Sequence, residues 1–170
     1  MTAAPTTAVR HVYVHLPFCA HRCGYCDFVT VVGRGEQHGA YVDALLAELE
    51  LEAEVLGEHL ETIFVGGGTP TFTDPADLAR LLAALPEADE LTVEANPETV
   101  TPDLARLLRE GGVNRVSLGA QSFQPELLAV LERQLRDERV DIGTVLLAAA
   151  DNGHEIAVPA AVGAEREMHV

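Results

Sequence analysis

The sequence predicts an α/β fold, about four to five parallel strands joined by crossover helices in an open sheet or barrel. Three observations predict it. Short apolar strand patterns alternate with helical patterns four times along the chain, and that order places helices as crossovers between parallel strands. The unusual clusters of thiols, glycines and polar residues each follow a strand, where folds of this class build their sites. A chain of 170 residues, 48% apolar and 22% charged, has the composition of a globular domain that can bury a core.

Residues 1–10, MTAAPTTAVR, are expected to be a flexible N-terminal tail; they lack the apolar stretch of an export signal. HVYVHL (11–16) alternates as a strand, with Val12, Val14 and Leu16 on one face and His11, Tyr13 and His15 on the other. Pro17 and the cysteine-bearing segment end it. Residues 33–39, glycine-rich and polar, predict a loop. From Ala40 to Leu56, Val42, Leu45, Leu46, Leu49 and Ala53 form a helical stripe, and Glu48, Glu50, Glu52 and Glu54 a solvated face.

TIFV (62–65) is a second, buried strand leading into GGGTPT. Asp74 is placed to cap a helix over 75–85, with Pro75 in its first turn. LTVEANP (91–97) predicts the third strand. A helix over 102–110 enters through Thr101-Pro102 and stops at Gly111-Gly112. NRVSLGAQ (114–121) predicts the fourth strand and residues 125–132 another helix. Further on, residues 140–150 fit a helix ended by Asn152-Gly153, EIAV (155–158) a fifth strand, and the rest a tail.

Charge and cysteines bound the function. With 11 Lys+Arg against 27 Asp+Glu, the net charge of −16 argues against a protein that grips nucleic-acid phosphates. No apolar run approaches the ~20 residues of a membrane-spanning helix. The cysteine count of three is odd, so the thiols cannot form a complete disulfide framework. With no export signal, a reducing, cytoplasmic location is expected.

All three cysteines fall within CAHRCGYC, as Cys19, Cys23 and Cys26. So short a loop can wrap thiolates around one metal centre, and thiolates select zinc or iron–sulfur clusters. Three readings stand side by side: a Cys3His zinc site completed by His15 or His21, a [4Fe–4S] cluster with one open iron, or a chance grouping of buried thiols. GGGTPT lacks the last glycine of a dinucleotide fingerprint and any P-loop lysine. It is either a turn whose backbone a ligand can approach closely or an ordinary tight turn. Glu94 is a core partner for Arg115 or an acceptor for ligand hydroxyls. Gln121 is a turn residue or an amide contact. Each of these residues sits at the same end of its strand, which predicts one site facing a metal centre.

Together, these segments resemble the radical S-adenosylmethionine (SAM) superfamily. YVHLPFCAHRCGYCDF carries its C-x3-C-x2-C signature and FVGGGTPT its glycine motif. TVEANPE and GVNRVSLGAQSF are similar to segments of the group holding HemW-type haem chaperones and oxygen-independent coproporphyrinogen III oxidases. The resemblance runs from residue 11 to Arg133 and implies that 11–133 is the N-terminal half of a (β/α) partial barrel.

In the family, three thiolates hold a [4Fe–4S] cluster whose open iron binds SAM; one electron then cleaves SAM to methionine and a 5′-deoxyadenosyl radical. The resemblance implies that Cys19, Cys23 and Cys26 ligate the cluster and that Tyr13 lies near SAM and the cluster. It places Tyr25 by the adenine, Gly68 and Thr69 at the methionine end, Glu94 on the ribose, and Gln121 and Arg133 around the pocket. An electron-donor protein, haem or a porphyrinogen, and a haem-acceptor protein are the implied partners.

Within the group, the oxidases carry a further cysteine two positions beyond the third ligand. Here that position is Phe28, the HemW-like pattern. The expected function is a HemW-like haem chaperone, or an inactive truncated form of one. The alternatives are a coproporphyrinogen oxidase and a zinc-stabilised module without radical chemistry. Residues 134–170 diverge: the family's Asp and Gly-Leu-Pro turn, its later strands and the C-terminal region expected to bind haem have no counterpart in this sequence. Truncation is the expected reason, with a fragment, or dimerisation across an open barrel edge, as the other readings. His154 and His169 are weighed as haem ligands and as surface histidines, with surface histidines the expectation.

Overall fold

The alternation in HVYVHL decides which side of the sheet is dry. In the computed structural model, which describes residues 9–57, 59–122, 124–131 and 155–157, this segment is strand β1 (His11–Leu16). Two short strands, β2 (Phe18–Cys19) and β3 (Val31–Val32), flank the cysteine segment. Then follow α1 (His38–Leu56), β4 (His59–Gly67), α2 (Pro75–Ala84), β5 (Glu87–Ala95), α3 (Pro102–Glu110), β6 (Arg115–Leu118), α4 (Pro125–Val130) and β7 (Glu155–Ala157). The main sheet runs β1-β4-β5-β6-β7, every neighbouring pair parallel. Each new strand is added on the same side of the last, the winding that builds a (β/α) barrel wall.

One face of the sheet is apolar and carries the helices. Val14 and Leu16, Ile63 and Val65, Leu91 and Val93 pack against Val42 of α1, Leu78, Leu81 and Leu82 of α2, and Leu104 and Leu108 of α3. Alternation sends the intervening residues to the other face, and the register lines them up in rows. His11, Thr62 and Glu90 form one row, and Tyr13, Phe64, Thr92 and Arg115 the next; His15 and Gly66, then Glu94 and Ser117, are matched nearest the C-terminal ends. This inner face is polar and aromatic, as the first strand predicts. No helix among the described residues is long and apolar enough to cross a membrane.

Helix ends follow the sequence signals. Asp74 accepts a hydrogen bond from the Ala76 amide at 2.9 Å and Pro75 opens α2. Thr101 accepts from the Leu104 amide at 3.2 Å ahead of Pro102. Gly57, with φ of 72°, terminates α1 in the left-handed geometry that glycine alone adopts without strain.

Several boundaries differ from the pattern. Helix α1 begins at His38, inside the segment predicted as a loop. The imidazole is buried, 4.3 Å from the Phe18 ring and 5.5 Å from that of Phe72, and its Nδ1 accepts the Asp74 amide at 3.2 Å. Strand β4 starts at His59 and β5 at Glu87, earlier than predicted, because the two ladders pair from His59–Glu87 onward; a partner strand overrides weak local signals. Strand β5 stops at Ala95 because the chain turns at Asn96-Pro97, where proline offers no N–H. The expected fifth strand is present over Glu155–Ala157, parallel to β6. The predicted helix over 140–150, the tail, Arg133, His154 and His169 lie outside the described residues.

Candidate cofactor site at the strand ends

The cysteine loop is closed by a clasp. β2 and β3 pair in parallel, Phe18 with Val31 and Cys19 with Val32, and the Val31 amide donates to the Pro17 carbonyl at 2.8 Å. Phe18 anchors this clasp against His38 and, edge-on at 5.3 Å, Tyr41 of α1. Inside the loop the Cys26 amide donates to the Cys23 carbonyl at 3.0 Å. Cys23 and Cys26 are therefore the two ends of one β-turn centred on Gly24-Tyr25. Cys19 is buried and the other two are partly exposed, and none of the three is in a disulfide. Arg22 steadies the turn, donating to the Cys26 carbonyl at 3.3 Å.

The far end of the loop is tied to β1. His15 Nε2 lies 3.2 Å from the Val29 carbonyl and must donate to it, since a carbonyl only accepts. Nδ1 is then the acceptor, and the Tyr13 hydroxyl donates to it at 2.9 Å. Both imidazole nitrogens are engaged, which argues against His15 as a zinc ligand. Tyr13 holds its proton above the ordinary phenol range, chiefly through burial and then through the negative charge of Glu94.

At all three glycines the protein's own packing leaves no room for a side chain. A Cβ on Gly66 would meet the Phe64 ring at 2.5 Å and Glu94 Oε2 at 2.7 Å; on Gly67, where φ is 120°, it would meet His15 Nδ1 at 2.5 Å. On Gly68 it would stand 2.5 Å from the Pro17 carbonyl oxygen. These side-chain and backbone neighbours forbid a side chain there, and the bare backbone of Gly67 and Gly68 also lines a cavity that a ligand can enter. Gly68→Ala is expected to destabilise the fold by about 1–3 kcal/mol or more through overpacking against backbone. Gly24→Ala, with nothing within 4 Å of its Cβ, should leave the melting temperature nearly unchanged. Thermal denaturation of the two variants checks this.

A cavity of about 210 Å³ joins these parts at the C-terminal strand ends. Of the residues singled out from sequence, Cys19, Cys23, Cys26, Tyr25, Gly68, Thr69, Glu94 and Gln121 line it together. Tyr13 lies one row deeper on the same face, and Arg133 is outside the described residues. Arg115 is not the partner of Glu94: it bonds Glu90 at 3.3 Å and Thr92 at 3.2 Å. Glu94 instead accepts the Gly67 amide at 3.0 Å. Gln121 has φ of 65°, and the Ser122 amide donates to the Ala120 carbonyl across it at 2.8 Å. That is the rarer, positive-φ γ-turn, a strained geometry of the kind that gathers at ligand sites.

Sequence reasoning passed over Arg22, Thr30, Ser117 and the role of Asn96, all on the cavity wall. Asn96 was visible only as a strand-end residue, and the other three carried no pattern.

The residues fit a thiolate-bound cluster with a polar ligand beside it. Three soft donors face a cavity that also holds one carboxylate, and Thr30 Oγ1, on its wall, is buried without a hydrogen-bond partner. Among the described residues no three His, Cys, Asp or Glu side chains converge as they would around a single ion. A cluster asks less of them, because each thiolate binds a different iron.

Comparisons with known proteins agree with this geometry. A family model described as the radical SAM superfamily matches residues 13–152. The chain is 41% identical over 127 residues to the haem chaperone HemW of Lactococcus lactis, covering 71% of this chain and 33% of that protein. It is 39% identical over 142 residues to an oxygen-independent coproporphyrinogen III oxidase of Bradyrhizobium diazoefficiens, covering 78% of this chain and 32% of that one. The structure of coproporphyrinogen III oxidase HemN from Escherichia coli, described as a radical SAM enzyme, is similar with a TM-score of 0.76 at 30% identity. It is matched over 89% of this chain and 37% of its own. The chain spans about a third of the length of these curated relatives.

Proposed function

The chain belongs to the radical SAM superfamily, and from that premise we propose that it is a HemW-like protein whose cavity holds a [4Fe–4S] cluster and SAM in the service of haem transfer. In this reading Cys19, Cys23 and Cys26 ligate the cluster. Tyr25 packs by the adenine, Gly68 and Thr69 meet the methionine end, and Glu94 takes the ribose hydroxyls. Gln121 and Arg133 complete the pocket. Tyr13 braces His15 beneath it. When bound, the cluster supplies one-electron reduction of SAM. The side chains hold, orient and shield; none of those named is assigned as a proton donor to substrate.

The observation that carries the chaperone reading over the oxidase is Phe28. It occupies the position where the oxidases have a further cysteine, lines the cavity, and is 74% exposed. A phenyl ring neither ligates metal nor transfers a proton, and an exposed one is suited to an apolar, planar ligand. The engagement of His15 argues against it as a fourth zinc ligand; His21, on the cavity wall and 4.0 Å from Glu98, is the histidine left to the zinc alternative.

Anaerobic reconstitution of the chain, followed by iron, zinc and acid-labile sulfide analysis, haem titration and a coproporphyrinogen turnover assay, tests the proposal. Iron with sulfide, saturable haem binding and no turnover are expected. Zinc without sulfide would overturn the cluster, and turnover without haem binding would overturn the chaperone reading. A cluster-bearing chain that does neither would remove haem transfer from this chain.

A further inference from the structure

The turn carrying Thr69 is pressed onto β2. The Gly68 amide donates to the Leu16 carbonyl and the Thr69 amide to the Phe18 carbonyl, both at 2.8 Å. Gly68 permits this approach, since a Cβ would lie 2.5 Å from the Pro17 oxygen and 2.6 Å from that of Phe18. The consequence is that the Thr69 hydroxyl, on a residue 5% exposed, reaches Cys19 Sγ at 3.6 Å, where Cys19 is buried too.

The direction of that hydrogen bond is set by a third residue. Asn96 Nδ2 donates to Thr69 Oγ1 at 3.1 Å. A hydroxyl oxygen that accepts the amide hydrogen keeps its own hydrogen to give, and the sulfur lies within its reach. Asn96 is in turn fixed by the bend after β5, its carbonyl accepting the Thr99 amide at 3.0 Å and the Thr99 hydroxyl at 2.8 Å.

We propose that the Thr69 hydroxyl, aimed by Asn96, donates a hydrogen bond to the Cys19 sulfur and thereby sets how readily the cluster bound there accepts an electron. The inference rests on the cluster reading of the three cysteines. Reduction adds negative charge to the cluster and its thiolates, so a donor to a thiolate stabilises the reduced form more than the oxidised one. Hydrogen bonds to the sulfurs are among the factors that set cluster potentials. A buried bond in a low-dielectric wall acts more strongly than an exposed one. Thr69 and Asn96 are positioning residues in this role, distinct from any contact Thr69 makes with SAM.

The test is the midpoint potential of the reconstituted full chain, measured without SAM by electron paramagnetic resonance during reductive titration. Iron and sulfide content are determined on the same samples. Thr69→Val is expected to retain the cluster and shift the potential to a more negative value. Thr69→Ser, which keeps the hydroxyl, should stay near the wild type. Asn96→Ala, which leaves the hydroxyl unaimed, should shift in the same direction as Thr69→Val and serves if that variant assembles poorly. A loaded Thr69→Val or Asn96→Ala with the wild-type potential, or a serine variant that shifts like the valine, overturns the proposal. A wild-type chain that takes up no iron and sulfide overturns the underlying cluster reading, a separate failure that takes the proposal with it.

Discussion

Cys23→Ser is expected to reduce cluster assembly to background, with iron and sulfide lost together after anaerobic reconstitution. A serine hydroxyl is a hard, weakly acidic donor where soft iron–sulfur centres select thiolate. Two remaining ligands leave a second iron open to solvent. The substitution should nevertheless leave the scaffold intact. The loop is held by the β2–β3 pairing and by backbone hydrogen bonds, including that from the Cys26 amide to the Cys23 carbonyl at 3.0 Å; none of these uses the Cys23 sulfur. Circular dichroism and the melting temperature of the metal-free variant should therefore match the metal-free parent. A full cluster spectrum in Cys23→Ser would overturn the assignment of this residue as a ligand. Failure to fold would contradict the view that the loop is shaped by its backbone.

The alternation of strands and helices, the caps at Asp74 and Thr101, and the co-location of thiols, glycines and Glu94 were legible because each rests on local chemistry. A residue's neighbours in sequence decide whether it alternates, caps or turns. What was not legible depends on partners distant in the chain. The extension of β5 back to Glu87 comes from the ladder offered by β4. The burial of His38 comes from Phe18 and Phe72. The pairing of Arg115 with Glu90, not Glu94, is decided by register: Arg115 lies opposite Thr92, and Glu94 opposite Ser117. The glycine run shows both sides. Its reading as a turn with closely approachable backbone rests on the glycines alone, while the neighbours that crowd it, His15 and the Pro17 and Phe18 carbonyls, required the fold.

That same register makes Glu94 the residue whose loss should most affect SAM. Arg115 is held by Glu90 and Thr92, and Glu94 forms no ion pair among the described residues. Its charge is left facing the cavity, with one oxygen accepting the Gly67 amide at 3.0 Å. A carboxylate in that position can accept from both hydroxyls of a ribose, and hydrogen bonds to a charged group contribute about 1.5–3 kcal/mol each. Glu94→Gln keeps an acceptor for the Gly67 amide, so the turn should survive. It removes the charge, and it presents an N–H where a ribose hydroxyl would donate. The expected result is a SAM dissociation constant weakened at least ~10-fold, read by calorimetry on the cluster-loaded chain, with the melting temperature close to the parent's.

A second readout needs no cofactor. Glu94 is one of the charges that hold the Tyr13 phenol above its ordinary range, after burial. The variant should therefore titrate Tyr13 at lower pH than the parent, with Tyr13→Phe identifying its share of the phenolate absorbance. Undiminished SAM affinity alongside a lowered Tyr13 titration would show that Glu94 faces the site as described and does not hold the ribose. An unmoved titration would show that the carboxylate does not face Tyr13 at all.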